Sequence, residues 1–332
     1  MILVTGGTGL LGSHLVYKLL QGDKKVRVLV REKSNKENIH KTISYYSNDA
    51  DELVKKIEWT NGDILDIYSL TEALKDITEV YHCAANVSFL PEEAEEMMQG
   101  NVEGTANVVN ACLEKGNVIL CHVSSVAALP NSDKNSIITE NSHWKGAVET
   151  SNYAISKYAA EKEVWRGIEE GLQAVIVNPS IIIGPGEWKK SSTNMISASY
   201  KGIKFYTEGV AGFIDVRDVA EAMMQLMKDK KTNERYILST ENLSFKSFFT
   251  LTHTAFGKAA PSIKVGKVLS EIGWRLERIR HLKPLITKET ARASQQKNYY
   301  SNDKIKKVMN RDFISIEESV KHVCSLYLKD NA

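Results

Sequence analysis

Four cysteines in 332 residues, Cys83, Cys112, Cys121 and Cys324, show neither paired nor metal-like spacing. That excludes a disulfide scaffold and a cysteine zinc site, and no metal is expected. The first three lie in apolar runs, which reads as free thiols in a reducing compartment. Charge of one sign is missing too. Lys and Arg number 43 against 41 Asp and Glu, and the resulting net charge of +2 gives no case for a nucleic-acid partner. No apolar run is long enough to span a bilayer, and the chain opens directly into a strand without a signal-peptide pattern. A cytoplasmic protein is expected. Internal repeats and low-complexity segments do not stand out. The apolar share of 42% and charged share of 25% are those of an ordinary soluble globular chain. Its length allows one large domain or two intimate lobes.

Strand and helix patterns alternate through the first half, which predicts a parallel sheet covered on both faces. Strands are expected near residues 1–5, 25–30, 57–60, 79–84, 117–123 and 173–177. Helices are expected near 10–22, 66–76, 91–115 and 151–170, with two short ones between Glu32 and Lys56. After Gly186 the pattern becomes irregular. A helix is read through Met195–Lys201 and another through Asp215–Lys228, with short helices following to the end.

Two motifs carry chemistry. Ile2-Leu3-Val4 runs as a short strand into Thr5-Gly6-Gly7-Thr8-Gly9-Leu10-Leu11-Gly12, and a helical rhythm follows. The glycines fit Gly-x-Gly-x-x-Gly from Gly7 and also the wider spacing Gly6, Gly9, Gly12. Such a loop lets the backbone approach a pyrophosphate, which then faces unpaired N–H groups at the helix start. The second motif is Tyr153-Ala154-Ile155-Ser156-Lys157. Tyr153 and Lys157, four residues apart, share a helix face. The ammonium is expected to lower the phenol from its usual pKa of about 10 toward neutrality, matching it to carbonyl reduction.

Further landmarks follow in order: Asn61-Gly62-Asp63 with Ile64, Tyr81-His82-Cys83-Ala84-Ala85, Asn101-Val102-Glu103-Gly104-Thr105, Val123-Ser124-Ser125, Asn178-Pro179-Ser180 and Phe213 through Ala220. Together with the two motifs they resemble the extended short-chain dehydrogenase/reductase superfamily (NAD-dependent epimerase/dehydratase), in its dihydroflavonol reductase and 3β-hydroxysteroid dehydrogenase branch. The likeness weakens only after about residue 255. It implies an α/β Rossmann-type doubly wound parallel sheet over residues 1–178. Residues 179–332 would form a smaller, mainly C-terminal substrate-binding lobe, with some segments returning to the main sheet. The cleft between the lobes, beyond the carboxyl ends of the strands, is the expected site.

The resemblance also implies roles. Tyr153 donates a proton to the substrate carbonyl, Lys157 bonds the nicotinamide ribose, and Ser125 holds the substrate oxygen, with Ser124 the adjacent alternative. Asp63 and Ile64 would contact the adenine side of the cofactor. Cys83, Ala84 and Ala85 would pass its ribose, and Pro179 and Ser180 would also border it. Asn101 completes the usual tetrad or simply packs its helix. His82 and His122 receive no chemical role. The stretch Ala85 through Phe89 would border the nicotinamide, and Trp188, Met195, Tyr206 and Phe213 would line an apolar pocket or pack a core.

At the end of the second strand stands Arg31, with Lys33 nearby. A guanidinium bonds a 2′-phosphate that a carboxylate would repel, so NADP(H) is the expected cofactor. Glu32, one residue on, keeps NAD(H) as the alternative. Val265–Ile279 forms an apolar stripe with Lys267, Arg275 and Arg278 elsewhere, a pattern that packs on protein more often than on a membrane. A homodimer through helices 91–115 and 151–170 and a monomer both stay open.

Three functional classes compete: a ketone or aldehyde reductase, a nucleotide-sugar epimerase or dehydratase, and a non-catalytic cofactor sensor. Sugar-nucleotide dehydratases of the family carry an acid pair where this chain has Val126-Ala127, and eliminating water needs an acid and a base. Epimerases carry an Arg near Ala211-Gly212 to hold a diphosphate. Sensors often lose the tyrosine. The reading that remains is a reductase taking a small-molecule carbonyl or alcohol substrate.

Overall fold

The computed structural model describes residues 1–129, 137–142, 150–190, 192–266, 274 and 287–331. In chain order come β1 (Ile2–Thr5), α1 (Leu10–Leu19), β2 (Val26–Val30), α2 (Glu37–Ser44), α3 (Ala50–Lys55), β3 (Ile57–Asn61), α4 (Ile67–Ala73) and β4 (Glu79–His82). Next are α5 (Ala94–Met98), a π-helical turn (Gln99–Glu103), α6 (Gly104–Lys115), β5 (Ile119–Val123), β6 (Ile137–Ile138), α7 (Asn152–Glu169) and β7 (Gln173–Pro179). The second half runs β8 (Ile181–Ile183), α8 (Thr193–Lys201), β9 (Phe205–Tyr206), β10 (Val210–Asp215), α9 (Val216–Lys228), β11 (Glu234–Leu238), β12 (Glu241–Ser244), α10 (Phe245–Ala255) and β13 (Ile263–Lys264). Helix Lys288–Ala293, β14 (Tyr299–Tyr300) and helices Asp303–Met309 and Ile316–Asp330 complete it.

Seven strands pair in the order β3-β2-β1-β4-β5-β7-β11, every neighbour parallel. This is the expected doubly wound sheet, and the direction of winding reverses between β1 and β4. Strands buried on both faces explain the near-continuous apolar runs of β1, β2 and β7. Ile2, Val4, Val26 and Val28 meet Leu15 and Val16 of α1 and Val219 and Met223 of α9 on one face. Leu3, Val80 and Leu120 meet Leu70, Val108, Val109 and Val164 of α4, α6 and α7 on the other. A third core gathers Phe213, Phe248, Ile316 and Val320 around the sheet β12-β10-β8.

The structure departs from the sequence expectations in two places. The segment 91–115 is interrupted by the π-helical turn Gln99–Glu103, which shifts the helix register at Asn101. The tail is more than short helices. Glu234–Leu238 is the seventh strand of the main sheet, and the last helix, Ile316–Asp330, has 15 residues. Within the stripe Val265–Ile279, all but Val265, Gly266 and Trp274 lies outside the described residues. Among the described residues no helix is long and apolar enough to cross a membrane.

Closure of the crevice between β1 and β4 rests on Gly6. Its φ is +67°, and a Cβ there would fall 2.5 Å from the Ala84 nitrogen, which follows β4. Backbone meets backbone at that point, so no flexible side chain can yield. Gly6→Ala should therefore destabilise the fold by about 1–3 kcal/mol. The measurement is a denaturant titration, with a lower midpoint expected at unchanged slope. A midpoint equal to that of the unaltered protein would show that the loop relaxes freely.

Candidate active site

β1 delivers the chain into Gly6-Gly7-Thr8-Gly9, and Gly9 is the N-cap of α1. No side chain caps this helix and no acid stands in its first turn. Its leading N–H groups, on Leu10, Leu11 and Gly12, therefore offer a partly positive helix end to an anion. A Cβ on Gly12 would lie 2.2 Å from the Gly6 carbonyl oxygen, so the loop folds onto the helix with no room for a side chain. A bare, closely folded helix start of this kind fits a dinucleotide pyrophosphate.

Other expected cofactor residues line the same edge of the sheet. Thr5 Oγ1 meets His82 Nδ1 at 2.7 Å, and His82 Nε2 meets Thr105 Oγ1 at 3.0 Å, tying β1, β4 and α6 together. Burial lowers the His82 pKa to about 3, so the ring is neutral, and Lys157 pushes the same way. Asn38 of α2 donates to the Thr8 carbonyl at 3.2 Å. Arg31, Glu32 and Lys33 are exposed after β2, where the Arg31 N–H donates to Ser34 Oγ at 3.1 Å. Asp63 Oδ1 accepts from the Leu65 N–H at 3.0 Å, and the Ile64 carbonyl accepts from Asn107 at 3.0 Å. Cys83, Ala84 and Ala85 follow β4, and Pro179 and Ser180 stand at the end of β7. Ser180 is buried, and among the described residues its hydroxyl has no hydrogen-bond partner.

Ser125 follows β5 in extended conformation, and its Oγ accepts from the Ala127 N–H at 3.1 Å. Tyr153 is the second residue of α7, whose N-cap Ser151 accepts from the Ala154 N–H at 3.1 Å. Ser125 acts on the Tyr153 hydroxyl, drawing its pKa down, and the Tyr153 ring lies with its centroid 5.7 Å from that of Phe89. Phe89 thus brings the segment after β4 to the tyrosine.

The expected effect of Lys157 on the phenol is not what the structure has. Lys157 Nζ donates to the Val123 carbonyl at 2.8 Å. Burial raises the Tyr153 pKa above its usual value, and only Ser125 opposes the rise. Burial dominates because the hydroxyl lies deep while the ammonium is engaged by β5. Lys157 is itself 2% exposed, and burial lowers its pKa to about 8 against the attraction of Glu161 and Cys83.

Asn101 acts through its side chain. Its Oδ1 accepts from the Asn86 N–H at 2.7 Å, while its Nδ2 donates to the Asn86 carbonyl at 2.9 Å and to Ser156 Oγ at 2.9 Å. Ser156 in turn donates to the Tyr153 carbonyl at 2.8 Å. The π-helical turn is what brings this amide against both the segment after β4 and α7.

Ser124 and Ser125 divide the work at the end of β5. Ser124 Oγ donates to Glu161 at 2.6 Å and is buried, whereas Ser125 Oγ accepts from the Ala127 N–H and acts on the Tyr153 hydroxyl. Glu161, Asn178 and Arg235 form a buried group beneath the site that was not anticipated. The available signal was Glu161 itself, one helical turn past Lys157. Two of the aromatic candidates take the core-packing alternative. Phe213 is fully buried and stacks on Phe248 at 4.7 Å, and Trp188 packs on Tyr327 while donating to Asp330 at 2.8 Å. Both are held in the packing of the smaller sheet and the last helix. Met195 packs against the same core, and Tyr206 lies under Lys246 at 4.8 Å.

The chain is similar to known proteins. Residues 2–239 match the model of the NAD dependent epimerase/dehydratase family. A Synechocystis sp. protein named "Putative dihydroflavonol 4-reductase" is 30% identical, over 96% of this chain and 91% of its own. Cinnamoyl-CoA reductase 1 of Petunia hybrida is 29% identical, over 71% of this chain and 72% of its own. The crystal structure of gox2253 superposes with a TM-score of 0.83 at 30% identity, covering 99% of this chain and 98% of that one. With a family match over more than half of its length, this chain belongs to the NAD dependent epimerase/dehydratase family.

Proposed function

We propose that this protein is an NADP(H)-dependent oxidoreductase that reduces a ketone or aldehyde to an alcohol. The observation that carries the reading is the placement of Tyr153 on α7 with Lys157 one turn on and with Ser125, at the end of β5, acting on the tyrosine hydroxyl. A bound nicotinamide cofactor supplies the hydride to the carbonyl carbon. Ser125 holds the carbonyl oxygen, and Tyr153 gives that oxygen its proton as negative charge grows there. Lys157 keeps a positive charge beside the site below about pH 8, its pKa in the fold. After Ser125 the chain turns through Val126-Ala127-Ala128, which offers no acid–base pair for elimination.

Arg31 supports NADP(H) as the cofactor, since it is exposed where β2 ends and free to meet a 2′-phosphate. The names of the relatives favour a carbonyl substrate over a sugar nucleotide. Ala211, in the interior strand β10, supplies no charge for a diphosphate.

Tyr153→Phe removes only the hydroxyl. Cofactor should still bind, while reduction falls by about 10²–10⁴-fold, read as kcat in a steady-state assay. Near-normal turnover by the Phe variant would remove Tyr153 from the mechanism.

For cofactor choice, calorimetric titration should give tighter binding of NADPH than of NADH, and Arg31→Ala should narrow or reverse the gap. Equal affinities in the unaltered protein would assign the ribose to Glu32 instead.

The reaction class is tested by nicotinamide absorbance, which should fall when aromatic and aliphatic carbonyls are offered with NADPH. A reductase consumes cofactor stoichiometrically, whereas an epimerase returns its hydride. Unchanged absorbance, together with interconversion of a nucleotide sugar without added cofactor, would replace this reading with the epimerase one.

A further inference from the structure

Beneath the site lies a carboxylate with every face engaged. Glu161, 2% exposed, accepts from Ser124 Oγ at 2.6 Å and Asn178 Nδ2 at 2.7 Å on one oxygen. Its other oxygen accepts from Arg235 Nη1 at 3.0 Å and Trp165 Nε1 at 3.2 Å. Asn178 Nδ2 also reaches the Ser125 carbonyl at 3.0 Å. Arg235 extends the group outward, donating to the carbonyls of Glu140 at 2.7 Å and Ser142 at 3.0 Å. One side chain of α7 is thereby bonded to the ends of β5 and β7 and to β11.

The reacting groups come from two of these elements. Ser125 stands at the end of β5, and Tyr153 and Lys157 stand on α7. Their relative position must be held by something other than themselves, because a misplacement of about 1 Å can cost 10²-fold in rate. We propose that Glu161 is the positioning residue of this site, clamping the Ser125 end of β5 to the helix that carries Tyr153 and supporting the charge of Lys157 one turn away. The clamp rests on the reductase reading for what it positions; its effect on Lys157 does not.

The groups facing Lys157 are few. Glu161 stands on its own helix, Cys83 follows β4, and His82 and His122 lie in β4 and β5. Burial keeps both histidines neutral and raises the Cys83 thiol to about 12. Among these, Glu161 is the one carboxyl group. Its partner Arg235 offsets the carboxylate charge from the far side.

Glu161→Gln keeps the shape and removes the charge. NADPH affinity, followed by fluorescence across pH 6–10, should weaken with rising pH as Lys157 loses its proton. In the Gln variant this limb should move about one pH unit lower. In turnover, kcat should fall about tenfold or more, with KM for the carbonyl within about threefold. Ser124→Ala removes one bond and leaves the charge, so kcat should fall while the limb stays. A purely structural carboxylate would leave the limb unmoved in a folded Gln variant, and that result overturns the effect on Lys157. Unaltered kcat in Ser124→Ala overturns the clamp, and reads out even if the Gln variant does not fold. If the unaltered protein reduces no carbonyl and the binding limb still shifts, the reductase reading fails while the support of Lys157 stands.

Discussion

A buried ammonium is the constraint that organises this protein. Lys157 is almost wholly out of water, and an unpaired charge in that position would cost several kcal/mol. The fold meets the cost in three ways. The Val123 carbonyl at the end of β5 accepts a hydrogen bond, Glu161 supplies an opposite charge, and the neighbouring histidines stay neutral. Each element that does this must arrive at the same point, namely the carboxyl edge of the sheet where β4, β5 and α7 converge. The placement of Ser125 and Tyr153 follows from that convergence.

Hydrogen bonds run from the glycine loop to the tyrosine without a break. Thr5 at the end of β1 bonds His82, His82 bonds Thr105, and Thr105 Oγ1 donates to the Asn101 carbonyl at 2.6 Å. Asn101 then joins Asn86 and Ser156, and Ser156 bonds the turn that carries Tyr153. The glycine loop and the turn that carries Tyr153 are therefore joined in one assembly of side chains. A regular α-helix through residue 101 would break this chain, and that gives the π-helical turn its physical purpose.

What could be read from the sequence was what local spacing encodes. The glycine loop depends on neighbours within eight residues, and the Tyr153–Lys157 pair on one helical turn, so both were visible, as were the first six strands of the main sheet. The seventh strand was missed as such because Glu234–Leu238 is short, lies at the sheet edge and carries Glu and Arg among its apolar residues. The π-helical turn was hidden because the apolar rhythm continues on either side of it. Glu161 and Arg235 are separated by 74 positions, and nothing in either neighbourhood announces that the two meet. Trp188 and Phe213 carried a different ambiguity, since an aromatic that lines a pocket and one that fills a core have the same local sequence. The direction of the Tyr153 shift was misjudged for a related reason: spacing gave the partner, while burial, which depends on the whole fold, decided the outcome.

The later part of the chain also reaches the start of α7 through a carboxyl. Glu289, in helix Lys288–Ala293, accepts from the Asn152 N–H at 3.2 Å, one residue before Tyr153. Burial raises its pKa, and among the described residues its second oxygen has no hydrogen-bond partner, so the acid is held there at some cost in solvation. The partly positive start of α7 offsets that cost, because a carboxylate is favoured at a helix N-terminus. The same helix thus meets a carboxylate at each end of its reacting segment, Glu289 from the later chain and Glu161 from its own third turn. Movement of helix Lys288–Ala293 would alter the field at the start of α7 before it altered any contact within the sheet. Helix Lys288–Ala293 is in this way linked to the start of α7 by electrostatics as well as by a hydrogen bond.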